Sequence, residues 1–441
     1  MGENLNQEGT NMIQQGILPF KLERTSEEIT PRSGLVIYAE ILRALGVKRL
    51  VECHMPEPLS NRGYRAWRFI EPLLLMIYGG GRHIEDLREI RDDVALREVI
   101  GLTDMPSLST FGDWLIRMGE RGGREAMEEV NKEVFRKIVA KCDEKEYTLD
   151  VDSTVIESWK EEAKWTYKKV KGYHPIAGFL KENALCIAYE FREGNVQAGS
   201  GAEEFLKKCE EALPEGKKIT AIRSDSAFYQ AEVINWCEKS GKKYTITADK
   251  DKAVMEVIGT IKNWRRLHDK EGNPTDREIG STIHTMNKTE KAFRLIVERW
   301  QNPQPSLFSQ DKWCYHVIAT NIDDWEEEEI VWFHNERCQV ENLIKELKIG
   351  FSMEQMVSGN FLANSLYFAL GILVYNTTQA QKLLFMGEEW HRKTIATIRW
   401  KLVEIAGKVI RHGRRVILKI VASVEKLKIF LEIRRRCLDF R

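Results

Sequence analysis

The sequence predicts a mixed α/β protein with a helical region before it and an antiparallel β segment inserted into it. Three observations carry this. The hydrophobic period changes from helical to two after Cys142, strands then alternate with helices to about residue 253, and from about Val254 to Asn321 only strand-like patterns remain. With 441 residues, 43% of them hydrophobic and 30% charged, the chain can bury a large core in two or three domains, which excludes a disordered protein.

Taken in order, residues 1–24 read as a flexible polar tail, "MGENLNQEGTNMIQQG", without the apolar stretch of a signal peptide. Residues 25–145 read as a helical DNA-binding domain, because Gly and Pro punctuate segments such as "GLVIYAEILRALG" and "YRAWRFIEPLLLMIYGG". Within it, "SLSTFGDWLIRMG" offers Ser107 or Ser109 as an N-cap, Phe111 and Trp114 for packing, and Arg117 on the exposed side. That suits the second helix of a helix-turn-helix, and equally any bundle helix. Residues 146–253 hold the strands "EYTLDVDSTVIES", "NALCIAYEFREGNV", "KKITAIRSDSAF" and "KKYTITAD", separated by the helices "AEEFLKKCEEAL" and "QAEVINWCEKSG". This order places parallel strands at the later end of the segment. Residues 254–321 form the β-rich insertion, and 322–385 return to the core with "FHNERCQVENLIKELKIGF" as one helix and "FLANSLYFALGILVYN" as a buried one. The latter is about four residues too short for a membrane span. Residues 386–441 predict a β-hairpin around Gly413 and a basic amphipathic helix, "SVEKLKIFLEIRRRC".

The formal net charge is zero, but it is unevenly placed. From His391 to Arg441 fifteen Lys/Arg face four Asp/Glu, so this end carries +11 and the remainder −11. An acidic body with a basic end suits a metal site together with a polyanion-binding surface, and also a solvated basic tail. The eight cysteines are scattered and form no CxxC, which excludes a zinc ribbon or a disulfide scaffold and fits reduced thiols in a cytosolic protein.

Three acids point to chemistry. In "TLDVDSTV", Asp150, Asp152 and Thr154 face the same side of one strand, and paired carboxylates there are costly without a cation or partner. Asp225 in "ITAIRSDSAF" ends a second apolar strand, where α/β sheets place ligands. On the helix from Phe333 to Phe351, His334, Arg337, Glu341 and Lys348 form one narrow polar stripe opposite Val340, Leu343, Ile344 and Leu347. An Asp on a first strand, an Asp ending a later one and a Glu on a following helix can hold two divalent metals, and oxygen-only ligation suits Mg²⁺ or Mn²⁺. Such a pair serves phosphodiester chemistry, with Arg337 and Lys348 placed to hold DNA phosphates.

On these residues the chain resembles bacterial insertion-sequence transposases of the DDE type, specifically the cut-and-paste group with a Tyr-Arg-Glu-Lys third motif. Arg337, Glu341 and Lys348 match that motif's spacing, and His334 stands where Tyr is usual. Asp152-Ser153-Thr154 matches the first motif, "RSDSAFY" with Asp225 the second, and "KGYHPI" also fits. The resemblance implies a ribonuclease-H-like catalytic core with an antiparallel β insertion, and catalytic and metal-binding roles for Asp152, Asp225 and Glu341. Asp150 competes for the first role, and the hydroxyl pair after Asp152 favours the latter. The resemblance further implies two Mg²⁺ ions, with Mn²⁺ able to substitute, double-stranded DNA partners (terminal inverted repeats and target), a homodimer in a paired-end complex, and a bacterial cytoplasmic, nucleoid-associated location. It implies a hairpin intermediate with a flipped base stacked on an aromatic ring of the insertion, Trp313 or Trp300. Further DNA contacts are expected from Arg117, Arg411, Arg414 and Arg415. A nuclease or resolvase without strand joining, and a catalytically retired DNA-binding regulator, are the competing functions. Three retained acids argue against the latter.

Overall fold

The change of period after Cys142 is where the chain enters its central sheet. A computed structural model describes residue 20 and residues 23–61, 63–303 and 312–440. The expected tail over 1–24 lies outside these, apart from Phe20, Glu23 and Arg24. A two-residue strand, β1 (Ile29–Thr30), leads into helices α1 (Gly34–Ala44), α2 (Val47–His54), α3 (Trp67–Gly79), α4 (Leu87–Arg91), α5 (Val94–Ile100), α6 (Leu108–Glu120) and α7 (Gly123–Val139). Their apolar faces follow the helical period: in α6, Phe111, Trp114, Leu115 and Met118 are buried while Arg117 is exposed. Gly34 has no substitute, because a Cβ there would sit 2.0 Å from the Leu402 carbonyl oxygen.

The sheet region begins with β2 (Glu146–Ser153), then β3 (Ile156–Glu157), β4 (Lys164–Trp165), β5 (Lys171–Tyr173), β6 (Ile176–Leu180) and β7 (Cys186–Glu190). After α8 (Ala202–Ala212) come β8 (Lys218–Ser224), α9 (Ala231–Lys239), β9 (Lys243–Thr247) and α10 (Lys252–Ile258). The strands β10 (Arg265–His268), β11 (Pro274–His284), β12 (Phe293–Gln301) and β13 (Trp313–Thr320) follow. One nine-stranded sheet runs in the order β10-β11-β12-β13-β9-β8-β2-β6-β7. Strands β2, β8 and β9 are parallel, and β6, β7 and β10–β13 pair antiparallel. The segment 254–321 is therefore β-rich but not a separate unit: β13 pairs with β9, and its strands extend the central sheet. Strand β6, within "KGYHPIAGFL", is a central element that the sequence reading did not separate out.

Beyond the sheet lie α11 (Glu327–Asn335), α12 (Cys338–Lys345), a π-helical turn over Glu346–Gly350, and α13 (Phe361–Ala380). The predicted single helix from Phe333 is thus interrupted at Glu336–Arg337. Buried from Ala363 to Ala380, α13 is capped by the Asn360 side chain accepting from the Ala363 N–H, and packs against α3, α6 and α7 as well as β7. The helical region and the sheet consequently share one core, running from Leu35 to Cys437. The C-terminal strands β14 (Gly407–His412) and β15 (Arg415–Ile420) form the expected hairpin. Gly413 and Arg414 lie at φ 56° and 62°, the left-handed pair a two-residue turn requires. Strand β14 pairs with β1, and the final helix α14 (Val424–Phe440) packs on α1.

Candidate active site

The carboxyl ends of β2 and β8 build the site. Their parallel register pairs Asp150 with Arg223 and Val151 with Ser224. One step further, Asp152 and Asp225 stand at the ends of strands that run about 4.8 Å apart. The Asp225 carboxylate accepts from the Ala227 N–H at 3.1 Å and so opens the turn Ser226–Phe228. Asp152 accepts from the Ser153 N–H at 2.8 Å, and the Arg337 guanidinium reaches it at 4.0 Å.

Electrostatics set the two aspartates apart from ordinary ones. Burial and the nearby Asp225 charge push the Asp152 carboxyl up to about 6, with Glu341 adding to the rise and Arg337 and the Ser153 N–H opposing it. Burial also raises Asp225, which the Ala227 N–H and Arg337 counteract. One guanidinium therefore serves both carboxylates. Asp150, two residues before Asp152 on the same face, meets a different fate: the Arg223 guanidinium holds it through contacts of 2.6 and 2.7 Å, fully inside the protein. Arg223 also donates to the Phe333 carbonyl at 2.7 Å, which fixes the end of α11 over the sheet. This pair was not foreseen; an Arg inside the apolar strand "ITAIRSD" was its signal.

Glu341 lies on α12, exposed, and near enough to act on Asp152. Among the described residues no group of three or more His, Cys, Asp or Glu side chains is arranged to hold a metal ion. The donor set suits a hard cation, being all oxygen, with one guanidinium shared between Asp152 and Asp225.

His174, in "KGYHPI", is a further resident of the site. Its Nδ1–H donates to the Val196 carbonyl at 2.8 Å, so Nε2 accepts from the Ser153 hydroxyl at 3.1 Å. Lys348 turns toward the end of β2, donating to the Val155 carbonyl at 2.8 Å and to Thr154 Oγ1 at 3.3 Å. Burial holds it below the ordinary lysine range.

A family model for "Transposase DDE domain group 1" matches residues 18–438. The chain belongs to the DDE transposases. No curated protein matches it. A solved piggyBac transposase, in a synaptic complex with hairpin DNA, is similar at a TM-score of 0.44 and 11% identity, over 86% of this chain and 83% of that one. Among its described residues this DDE transposase has no helix long and apolar enough to cross a membrane.

The residues expected to meet DNA in this transposase fare unequally. His334 is corrected outright. It is 2% exposed, bonded to the Thr245 and Thr247 hydroxyls at 3.1 Å, and pushed down to about 3 by burial, so it is neutral and faces the sheet. The helix break at Glu336–Arg337 removes it from the stripe. Arg411 is held by Glu28 and Glu98 rather than left for phosphate. Arg414 and Arg415 are exposed at the hairpin turn, and Arg117 is exposed on α6. Trp313 carries the Arg299 guanidinium 4.3 Å from its ring, and Trp300 carries Arg277 at 4.5 Å.

Proposed function

We propose that this transposase cuts and joins DNA at the ends of a bacterial insertion sequence, on a ribonuclease-H-like core formed by β7, β6, β2, β8 and β9. The observation that carries the reading is the Asp152–Asp225 pair at the ends of adjacent parallel strands, half-buried and short of counter-charge. Asp152, Asp225 and Glu341 are the residues that would hold two Mg²⁺ ions, or Mn²⁺ in their place. When bound, such ions lower the pKa of a nucleophilic water and neutralise charge at the scissile phosphate.

The chain's own residues supply the rest. Arg337, 4.0 Å from Asp152, is placed to hold a phosphate oxygen beside the acids. The Ser153 N–H holds the Asp152 carboxylate, and the Ser153 hydroxyl is anchored on His174. Hydrolysis of one phosphodiester leaves a 3′-hydroxyl. Attack of that hydroxyl on the opposite strand breaks a second P–O bond and closes a hairpin, the route expected of a cut-and-paste enzyme. Terminal inverted repeats are the DNA substrate, a homodimer the paired-end assembly, and the bacterial nucleoid the place of action.

Asp225→Asn tests this. Strand cleavage of inverted-repeat DNA should fall at least a thousandfold, while binding of the same DNA stays within about twofold, because the acid's work is chemical. Loss of binding in a normally folded variant would make Asp225 a structural residue.

A further inference from the structure

Between Asp152 and His174 the chain leaves three large rings open to water. Strands β3, β5 and β4 form a small separate sheet in that order. Ile156 and Tyr173 of this sheet are buried in the core, and Ser158, Ala163 and Thr166 beside it are buried as well. Trp165 of β4 (56% exposed) and, in the segments flanking it, Trp159 (68%) and Tyr167 (69%) turn their rings outward. Three large rings held open to water on one short segment are unusual for a surface that contacts nothing.

The rings are held, not loose. Trp159 Nε1–H donates to Glu157 at 3.0 Å, and its ring meets Trp165 edge-on at 6.0 Å. A Cβ on Gly172 of β5 would lie 2.0 Å from the Ile156 carbonyl oxygen, so the sheet is closed around that glycine. The Glu162 N–H donates to the Gly359 carbonyl at 3.1 Å, tying the segment to the approach of α13. Tyr167 lies 5.4 Å from the His174 ring, and His174 bonds Ser153, the neighbour of Asp152. Two side chains, His174 and Ser153, thus link the first of these rings to the candidate acids. Cations accompany it: Lys171 is 6.0 Å from the Trp165 ring, Lys168 is 5.7 Å from the Tyr167 ring, and Lys164 and Lys169 are exposed.

Exposed rings interleaved with lysines are what unpaired nucleotides need. Each base has a π-face to stack, and the phosphates between bases need positive charge. Duplex DNA, with its bases already stacked, offers no such faces. We propose that Trp159, Trp165 and Tyr167 form a stacking platform for unpaired DNA nucleotides beside the cleavage site. This rests on the DNA-transposase reading above. It also relocates base stacking from Trp300 and Trp313, whose rings already carry arginines.

The test uses the full chain and two probes, fluorescein-labelled dT12 and a labelled 12-base-pair duplex, followed by anisotropy at fixed salt. The triple variant Trp159→Ala, Trp165→Ala, Tyr167→Ala should bind dT12 more weakly by about tenfold for each stacked base, with duplex affinity within about twofold of wild type. The triple Phe variant, which keeps the rings, should stay within about threefold on both probes. Independently of the Ala variant's folding, dT12 should quench wild-type tryptophan emission, and Trp159→Phe with Trp165→Phe should remove most of that quenching. Unchanged dT12 affinity, or quenching that survives the Phe changes, overturns the platform while leaving the transposase reading intact. Wild-type protein that binds neither probe overturns both. A shift in sedimentation mass with dT12 affinity unchanged assigns the rings to a second copy of the chain, and also overturns the proposal.

Discussion

Asp152 and Asp150 share a strand and a face, yet their surroundings divide them. Asp150 is held by two short contacts from Arg223, whereas Asp152 has only the more distant Arg337, which also acts on Asp225. Because burial and Asp225 raise the Asp152 carboxyl to about 6 in the fold, the folded protein holds that proton more tightly than the unfolded chain. The sign follows. Without metal, stability falls as pH rises from about 4 to about 6, and the cost, up to about 3 kcal/mol, is present above that range. Asp152→Asn should therefore stabilise the metal-free protein at pH 7.5 by up to about 3 kcal/mol in urea unfolding and leave it unchanged near pH 4. Equal stabilisation at both pH values would show that the carboxylate is not under this strain. At the same scale, the failed expectation for His334 has a simple cause. A histidine's role depends on which way it faces, and Thr245 and Thr247, 89 and 87 residues away in sequence, decide that.

At the scale of elements, the break between α11 and α12 matters more than either helix. Glu336 is drawn to Lys181 at 2.7 Å and Lys270 at 2.6 Å, which hold its carboxyl down at about 2. These contacts turn the chain at Glu336, so Arg337 becomes the N-cap of α12 and aims at Asp152. Glu341, four residues on, stays on Arg337's side of the helix as its spacing requires. The hairpin shows a similar division. Among the described residues Arg414 and Arg415 have no ion pair, while Arg411 is engaged by Glu28 and Glu98. Arg414→Ala with Arg415→Ala should flatten the salt dependence of DNA binding by up to about two slope units, one per lost phosphate contact. Arg411→Ala should leave the slope unchanged. Anisotropy titrations across a NaCl series check this, and a flattened slope for Arg411→Ala would contradict the pairing.

Over the whole molecule, the basic end is part of the core rather than an appendage. Arg399 donates to the carbonyls of Ile77, Tyr78 and Gly350 at 2.6 to 2.7 Å, β14 completes a sheet with β1, and Arg434 pairs with Glu40. Three cations of this end, Lys408, Arg411 and Arg434, thus pair with acids on the body. A chain ending at residue 385 should melt at least about 10 °C lower than the full chain, since it loses these contacts and uncovers α1. An unchanged melting temperature, followed by circular dichroism, would restore the view of a detachable DNA-binding tail.

What the sequence determined by itself was local. The mixed α/β class, the strand bearing Asp150 and Asp152, the strand ending at Asp225, the long buried helix and the hairpin at Gly413 all follow from period, turn residues and propensity, which act over a few neighbours. The tertiary structure decided which charges find partners. Arg223 takes Asp150 across 73 residues and Arg411 takes Glu98 across 313, while β13 joins the insertion to β9. Charge compensation and sheet extension depend on distance in space, and a side chain's value at a site is set by what burial leaves unpaired around it. For that reason the sequence brought forward the three acids and favoured Asp152 by its hydroxyl pair, while only the fold showed Arg223 engaging Asp150 and took His334 out of the DNA-facing stripe.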